Sequence, residues 1–222
     1  MKTVTEMNET NILEVKDFSI AFGSNEIFRH FNYVFKPGIY VFFGSSGSGK
    51  STLMRAIAGL EIGYTGEIIL NGKKIFKPSP ERHMMHQAYY SYPWCNLIDN
   101  SLMSFKGHKI KPTKDDVEEA KFCLKRLSLE EHMYKLPGQI SGGQDQRLSF
   151  ANAMLNKWSS VVLYDEPTSA LDNANDDLIA DMIKEHQAKY GTIEIVITHE
   201  EHVVKRLEPT ILEFTPEFRL NS

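Results

Sequence analysis

The segment Gly44-Ser45-Ser46-Gly47-Ser48-Gly49-Lys50-Ser51 constrains this chain more than any other. It fits the spacing G-x-x-x-x-G-K-S/T. It also stands between an apolar run, Ile39–Phe43, and a stretch over Thr52–Leu60 in which Leu53, Ile57 and Leu60 recur at helical spacing. A strand that feeds a glycine-rich loop into a helix start produces a ring of inward-facing backbone N–H groups, to which the helix adds the positive end of its dipole. Such a ring suits a polyphosphate. Lys50 is then expected to reach the terminal phosphates, the Ser51 hydroxyl to take a position on Mg²⁺, and Thr52 to complete the cradle.

Short β-branched and aromatic runs at Ile12–Val15, Ile39–Phe43, Val161–Asp165, Ile193–Thr198 and Ile211–Phe214 predict strands. Their nearly continuous apolar character predicts a sheet buried on both faces. Helical spacing recurs in Leu148, Ala151 and Leu155 and again in Leu178, Met182 and Ile183. Strand alternating with helix predicts an α/β fold, a P-loop core with a mainly parallel sheet. Glu67–Leu70, Asn71-Gly72 and Lys73–Phe76 predict a type I′ hairpin, and with it a small antiparallel sheet flanking the main one. Thr113–Leu127 follows Pro112, carries acids early and Lys121, Lys125 and Arg126 late, and reads as a helix. A helical subdomain is expected over about 88–140, inserted in a single domain of residues 1–222, because no repeat or linker divides the chain.

Two further segments carry chemistry. Val161–Tyr164 delivers Asp165 and Glu166 to the carboxyl end of a strand, where α/β sheets bind ligands. Neighbours on a strand point oppositely, so Asp165 can hold Mg²⁺ while Glu166 polarises an attacking water. Ser141-Gly142-Gly143-Gln144 opens a helix with a serine cap and two glycines, a second anion-binding helix start. The two starts serve two different ligands, or each forms half of a shared site in a symmetric dimer.

Composition narrows the partners. A net charge of −4 and a pI near 6.1 offer no basic surplus for a phosphate backbone, so nucleic acid is not an expected partner. Cys95 and Cys123 lack metal-ligand or disulfide spacing and are expected to be plain thiols of a reducing cytosol. Met1–Asn11 is polar and acidic, unlike a leader peptide. The longest apolar runs, Ile39–Phe43 and Ile193–Ile197, fall far below the roughly 18 residues that cross a bilayer.

The order of the phosphate loop, Gln87, Ser141–Gln144, Asp165-Glu166-Pro167-Thr168-Ser169-Ala170-Leu171-Asp172 and Ile197-Thr198-His199 resembles an ATP-binding-cassette (ABC) nucleotide-binding domain over roughly residues 12 to 200. The resemblance implies a head-to-tail dimer, homo- or heteromeric, with two ATP molecules held between the phosphate loop of one subunit and Ser141–Gln144 of the other. It implies that Phe22 stacks on adenine, that His199 contacts the γ-phosphate, and that Gln87 senses Mg²⁺ and docks a membrane partner. It further implies an ATP-hydrolysing motor subunit, cytoplasmic and peripheral on the inner face of the membrane, under transmembrane permease subunits. The pair Pro93-Trp94 is similar to the nitrate, sulfonate and taurine importer ATPases. Ala151-Asn152-Ala153-Met154 departs from the family's usual Ala-Arg-Ala-Leu, and no carboxy-terminal ligand sensor is expected after Phe214. The alternative, a non-transport ABC ATPase acting on DNA or ribosomes, would bring a long coiled coil or a second cassette, and this sequence has one cassette and no heptad tract.

Overall fold

Strand β3, Gly38–Phe43, is the strand that enters the phosphate loop, and the sheet around it explains its unbroken apolar character. The computed structural model describes residues 11–85, 91–168 and 173–220. Among these, β3 belongs to a five-stranded parallel sheet with β6 (Arg82–Met85), β7 (Val161–Asp165), β8 (Ile193–Ile197) and β9 (Thr210–Glu213), in the order β6-β7-β8-β3-β9. Alternate residues of these strands enter two different cores. Val41, Val162, Tyr164 and Val196 pack on one face, and Phe42, Val161, Leu163 and Ile195 on the other. Both faces are therefore dry, as the continuous runs predict.

Helix α1 (Lys50–Ala58) covers the second face through Leu53, Met54 and Ile57. Beyond it lies a four-stranded antiparallel sheet of β1 (Leu13–Phe22), β2 (Asn25–Phe35), β4 (Thr65–Leu70) and β5 (Lys73–Lys74), in the order β2-β1-β4-β5. Asn71 and Gly72 join β4 to β5 with φ of 51° and 75°. Positive φ at both central residues is what a type I′ turn requires. β1 runs well past the expected Val15, and β2 is a strand that periodicity misses. Register shifts interrupt their pairing, Asp17 and His30 both take φ of 52°, and the Asp17 Oδ1 to His30 Nδ1 distance is 2.6 Å. Bulges of this kind break the two-residue alternation that reveals a strand.

From residue 91 to Ser141 every described regular element is helical: α2 (Leu97–Ser101), α3 (Met103–Gly107), α4 (Lys114–Arg126) and two 3₁₀ turns, Glu130–His132 and Pro137–Gln139. α4 begins where its sequence says. Thr113 Oγ1 accepts from the Asp116 N–H at 3.2 Å and Asp116 Oδ2 accepts from the Thr113 N–H at 2.8 Å, a reciprocal cap. α4, α5 (Gly142–Met154) and α6 (Asn173–Tyr190) pack on the first face of the sheet through Leu124, Leu148, Phe150, Ile179 and Ile183. Ion pairs fasten α4 laterally, from Lys157 to Asp116 (2.7 Å) and Glu119 (2.5 Å) and from Arg126 to Glu185 (2.5 Å). Two shorter helices, α7 (Glu201–Leu207) and α8 (Pro216–Leu220), flank β9. Cys95 and Cys123 are free thiols, and burial pushes the Cys123 thiol up to about 12. Among the described residues no helix is long and apolar enough to cross a membrane.

Candidate functional site

The loop after β3 turns on glycines. Gly49 has a φ of 94°, and a Cβ there would lie 2.6 Å from Ile27 Cγ2 and 2.8 Å from Phe28 Cε2, so a side chain is excluded by backbone strain and by space together. Gly49 is also the N-cap of α1, whose first turn receives no side-chain cap and carries no acid. The first N–H groups of α1 are left for an anion. The helix starts at Lys50, two residues ahead of the expected Thr52.

Lys50 is 6% exposed and its Nζ donates to the carbonyls of Gly44 (2.7 Å) and Ser45 (2.8 Å). The ammonium thus spans its own loop. Burial lowers its pKa, while the carboxylates of Glu166 and Asp165 act in the opposite direction. A cavity of about 270 Å³ opens beside it, walled by Ser46 to Thr52 on one side and by Asp165, Glu166, Ile197 and His199 on the other. Chain positions more than a hundred residues apart meet here because β3 and β7 both run parallel to β8, which lies between them, so the carboxyl ends of the three strands share one edge.

Asp165 closes β7 and is half-buried; burial, then the neighbouring Glu166, raises its pKa, against Lys50 and Arg55. The separation of the two acids comes from a different cause than strand alternation. β7 ends at Asp165, and Glu166 takes a left-handed φ of 53° beyond it. That turn is pinned at both ends: the Glu166 N–H donates to the Ile197 carbonyl at 3.0 Å, and the Glu166 carbonyl accepts from Gln146 Nε2 at 3.1 Å. Strained backbone of this kind persists where surrounding structure holds it. His199 Nε2 lies 3.8 Å from Glu166 Oε1.

The donor set at the cavity fits Mg²⁺. Ser51 hydroxyl and Asp165 carboxylate are hard oxygen ligands, and among the described residues no cluster of three or more His, Cys, Asp or Glu forms an all-protein cage. Mg²⁺ is characteristically held by one or two protein oxygens together with phosphates and water. Gln87, the third expected metal contact, lies outside the described residues.

The second helix start is built separately. Ser141 caps α5, its Oγ accepting from the Gln144 N–H at 3.3 Å while Gln144 Oε1 accepts from the Ser141 N–H at 2.8 Å. The Gln144 side chain is therefore engaged in the cap. Nothing approaches within 4 Å of a Cβ built on Gly142, so this glycine faces open space. Ser141, Gly142, Gly143 and Gln144 are not in the wall of the loop cavity, and neither is Phe22. Phe22 ends β1 with 53% of its surface exposed, so the ring is not a core aromatic. Gln146, which belongs to no motif of the sequence, ties α5 to Glu166 at the cavity. Its signal is an amide one turn inside a capped helix, which periodicity does not single out.

An interior parallel strand that delivers a phosphate loop, with one strand between it and a strand that delivers paired acids, defines the P-loop class of α/β nucleotide-binding folds. Within that class the model of the ABC transporter family matches residues 29–169, and the chain belongs to this family. It is 32% identical over 205 residues to the spermidine/putrescine import ATP-binding protein PotA of Pasteurella multocida, covering 90% of this chain and 55% of that protein. It is equally 32% identical to the arginine transport ATP-binding protein ArtP of Haemophilus influenzae, over 90% of this chain and 87% of that one. The chain spans about half the length of the polyamine-import relatives it matches. Among solved structures, a dimeric ATP-binding cassette in a post-hydrolysis state bound to ADP and Pi shares the fold, with a TM-score of 0.76 at 23% identity over 90% of this chain and 93% of that one. A nucleotide-free cassette from an ABC transporter gives 0.71 at 22% identity, over 92% and 87%. The likeness of Pro93-Trp94 to nitrate, sulfonate and taurine importers finds no support among these relatives.

Proposed function

We propose that this chain binds ATP with Mg²⁺ and hydrolyses it as the cytosolic motor subunit of a membrane transporter, peripheral on the inner face of the membrane. The observation that carries this reading is the single cavity on which Lys50, Ser51, Asp165, Glu166 and His199 converge. Backbone N–H groups from Ser46 to Thr52 cradle the phosphates, and the buried Lys50 ammonium meets the β- and γ-phosphates, where it is worth more than a solvated one. Ser51 and Asp165 hold Mg²⁺, with Gln87 as a further contact, and the ion supplies neutralisation of phosphate charge. Glu166, in the cavity lining with the phosphate loop, takes the proton of the attacking water. His199 contacts the γ-phosphate from the other strand end.

Ser141 to Gln144 stand away from this cavity with an open glycine face, which supports their service to a nucleotide on a second subunit in a head-to-tail homo- or heterodimer. Phe22 offers an exposed ring to adenine. Residues 1–222 act as one cassette, with the stretch from about 88 to 140 as its helical subdomain. A groove of about 270 Å³ between β6 and the helices, lined by His83, Tyr92, Asn100, Met103 and Ser104 among others, is suited to a helix from a permease subunit. The names of the relatives, spermidine/putrescine import and arginine transport, support transport as the process that hydrolysis drives.

The test is phosphate release by the purified chain with ATP, with and without Mg²⁺, beside Lys50→Ala. Turnover that needs Mg²⁺ and is lost in the variant is the expected result. Turnover indifferent to both would refute the assignment.

A further inference from the structure

Gln146 stands five residues after Ser141 on α5 and is 1% exposed. Its Nε2 donates to the Glu166 carbonyl at 3.1 Å, and the Glu166 N–H donates to Ile197 at 3.0 Å. Between those two bonds lies the φ of 53° at Glu166, a conformation that a glutamate backbone keeps when its surroundings impose it. The direction in which the Glu166 carboxylate leaves the chain is thus set by two neighbours, one on β8 and one on α5.

α5 is a stiff connection. Its first turn carries Ser141 to Gln144, and Gln146 lies about 7.5 Å along the axis from Ser141, at a rise of about 1.5 Å per residue. Buried among packed side chains, the Gln146 amide has no room to stay behind when the helix shifts. The same helix holds two further polar contacts, Asp145 with the Ser91 hydroxyl and Asn152 Nδ2 with the Asn100 carbonyl at 2.7 Å. A displacement imposed on its capped end therefore reaches Glu166 through one hydrogen bond.

We infer that Gln146 is a positioning residue that links the phosphate-binding start of α5 to the general base of the same chain. This rests on the reading above, in which Ser141 to Gln144 meet the γ-phosphate held by the partner subunit while Glu166 serves the nucleotide on its own loop. Occupancy of one composite site then aligns the base of the other, and the two sites hydrolyse cooperatively. Gln146 touches neither nucleotide; it acts through the Glu166 backbone.

The experiment compares steady-state hydrolysis against ATP concentration for wild type, Gln146→Met and Glu166→Gln as full chains. Methionine keeps most of the volume and removes the donor. Expected for Gln146→Met are ADP affinity within roughly twofold of wild type, kcat lower by up to about 10²-fold, as for an ångström-scale misplacement, and a Hill coefficient falling from above unity to about 1. Unchanged kcat and Hill coefficient would overturn the inference, and so would a lowered kcat with cooperativity intact, which marks local backbone support without coupling. Normal turnover by Glu166→Gln would instead sink the underlying assignment of the base. If Gln146→Met fails to bind ADP and so to fold, the mixed dimer of one Ser141→Arg chain with one wild-type chain decides. Coupling predicts that its remaining intact site works far below half the wild-type rate, and a rate at half refutes it.

Discussion

His199 Nε2 lies 3.8 Å from Glu166 Oε1, across the gap between the ends of β8 and β7. That is beyond hydrogen-bond reach, so the two side chains border a common space without being locked to one another. A water taken up between them and the loop would face the carboxylate on one side and the imidazole on the other. Glu166→Gln keeps the shape and loses the base. Hydrolysis is expected to fall by roughly 10²–10⁴-fold, the usual worth of a general base, with ATP binding retained and a nucleotide-bound dimer accumulating. Phosphate release and size-exclusion chromatography with ATP measure both, and near-normal release would remove Glu166 from its role.

The composite-site reading predicts an asymmetry between binding and turnover. Ser141→Arg places a bulky cation where α5 is capped, on the face left bare by Gly142. Because these residues are outside the wall of the loop cavity, the variant is expected to bind ATP within roughly threefold of wild type and to lose hydrolysis, an interaction made on the way to the transition state. Equilibrium nucleotide binding beside a turnover assay tests it. Parallel loss of both would place Ser141 in its own subunit's pocket.

Phe22 is half-exposed at the tip of β1, and an exposed ring of that size contributes little to a core. Phe22→Ala is expected to weaken ATP affinity by about 1–3 kcal/mol, the range for a base stacked on an aromatic, with the melting temperature nearly unchanged. An unaltered dissociation constant by calorimetry would refute stacking.

Asp116 gives the acid limb of stability. Burial works against its ionisation, but hydrogen bonds from Lys157 and from the Thr113 hydroxyl and N–H outweigh this and hold the carboxyl at about 2, below the ordinary 3.8. A carboxyl depressed in the folded state contributes stability that is complete above the unfolded value and is lost as pH falls from there toward the folded one. The whole shift corresponds to about 2 kcal/mol, and solvent screening of this partly exposed group reduces its contribution at neutral pH to about 1 kcal/mol. Asp116→Asn is expected to lose about that much at pH 7 and to show a shallower decline between pH 5 and 2, followed by denaturant unfolding across that range. Identical acid limbs would show that Lys157 and Asp116 do not stabilise the fold.

How far the sequence discloses this molecule depends on where the information sits. The phosphate loop, the Thr113 cap and the Asn71-Gly72 turn are local, since a glycine, a hydroxyl or a two-residue turn declares its backbone without help from distant parts. β6 is short, four residues containing Arg82 and His83, and as an edge strand it shows no apolar pattern to read. β2 is hidden by the bulge at His30. Within the site, the identities of Lys50, Asp165, Glu166 and His199 are legible from motif order, and their meeting at one cavity follows from strand adjacency. The left-handed turn at Glu166 and its bond to Gln146 are not legible, because they arise from a contact between α5 and the end of β7 that no local spacing encodes.

The groove beside β6 frames the last expectation. Tyr92 and Trp94 meet edge to face with centroids 5.6 Å apart, yet 73% of the Trp94 surface remains exposed, so the two rings are in contact without being buried. Asn100 holds the segment in place, its Oδ1 accepting from the Tyr92 N–H at 2.7 Å and its Nδ2 donating to the Cys95 carbonyl at 2.8 Å. An exposed aromatic pair of which one ring, Tyr92, lines a groove and the other packs on it has the character of an interface anchor, with large apolar area and polar tips. Tyr89 and Tyr90, which the sequence places in the same aromatic cluster, lie outside the described residues. Trp94→Asp removes that area and adds a charge without opening a cavity in either core, so folding and ATP binding are expected to survive. Tyr92→Asp should behave alike, because its backbone bonds to Asn100 do not use the ring. Co-purification with the permease in detergent is expected to fall at least tenfold, about the loss that follows truncation of an interface anchor. Variants that still assemble and transport normally would refute the docking role, and variants that fail to fold would return the two rings to the packing of their own chain.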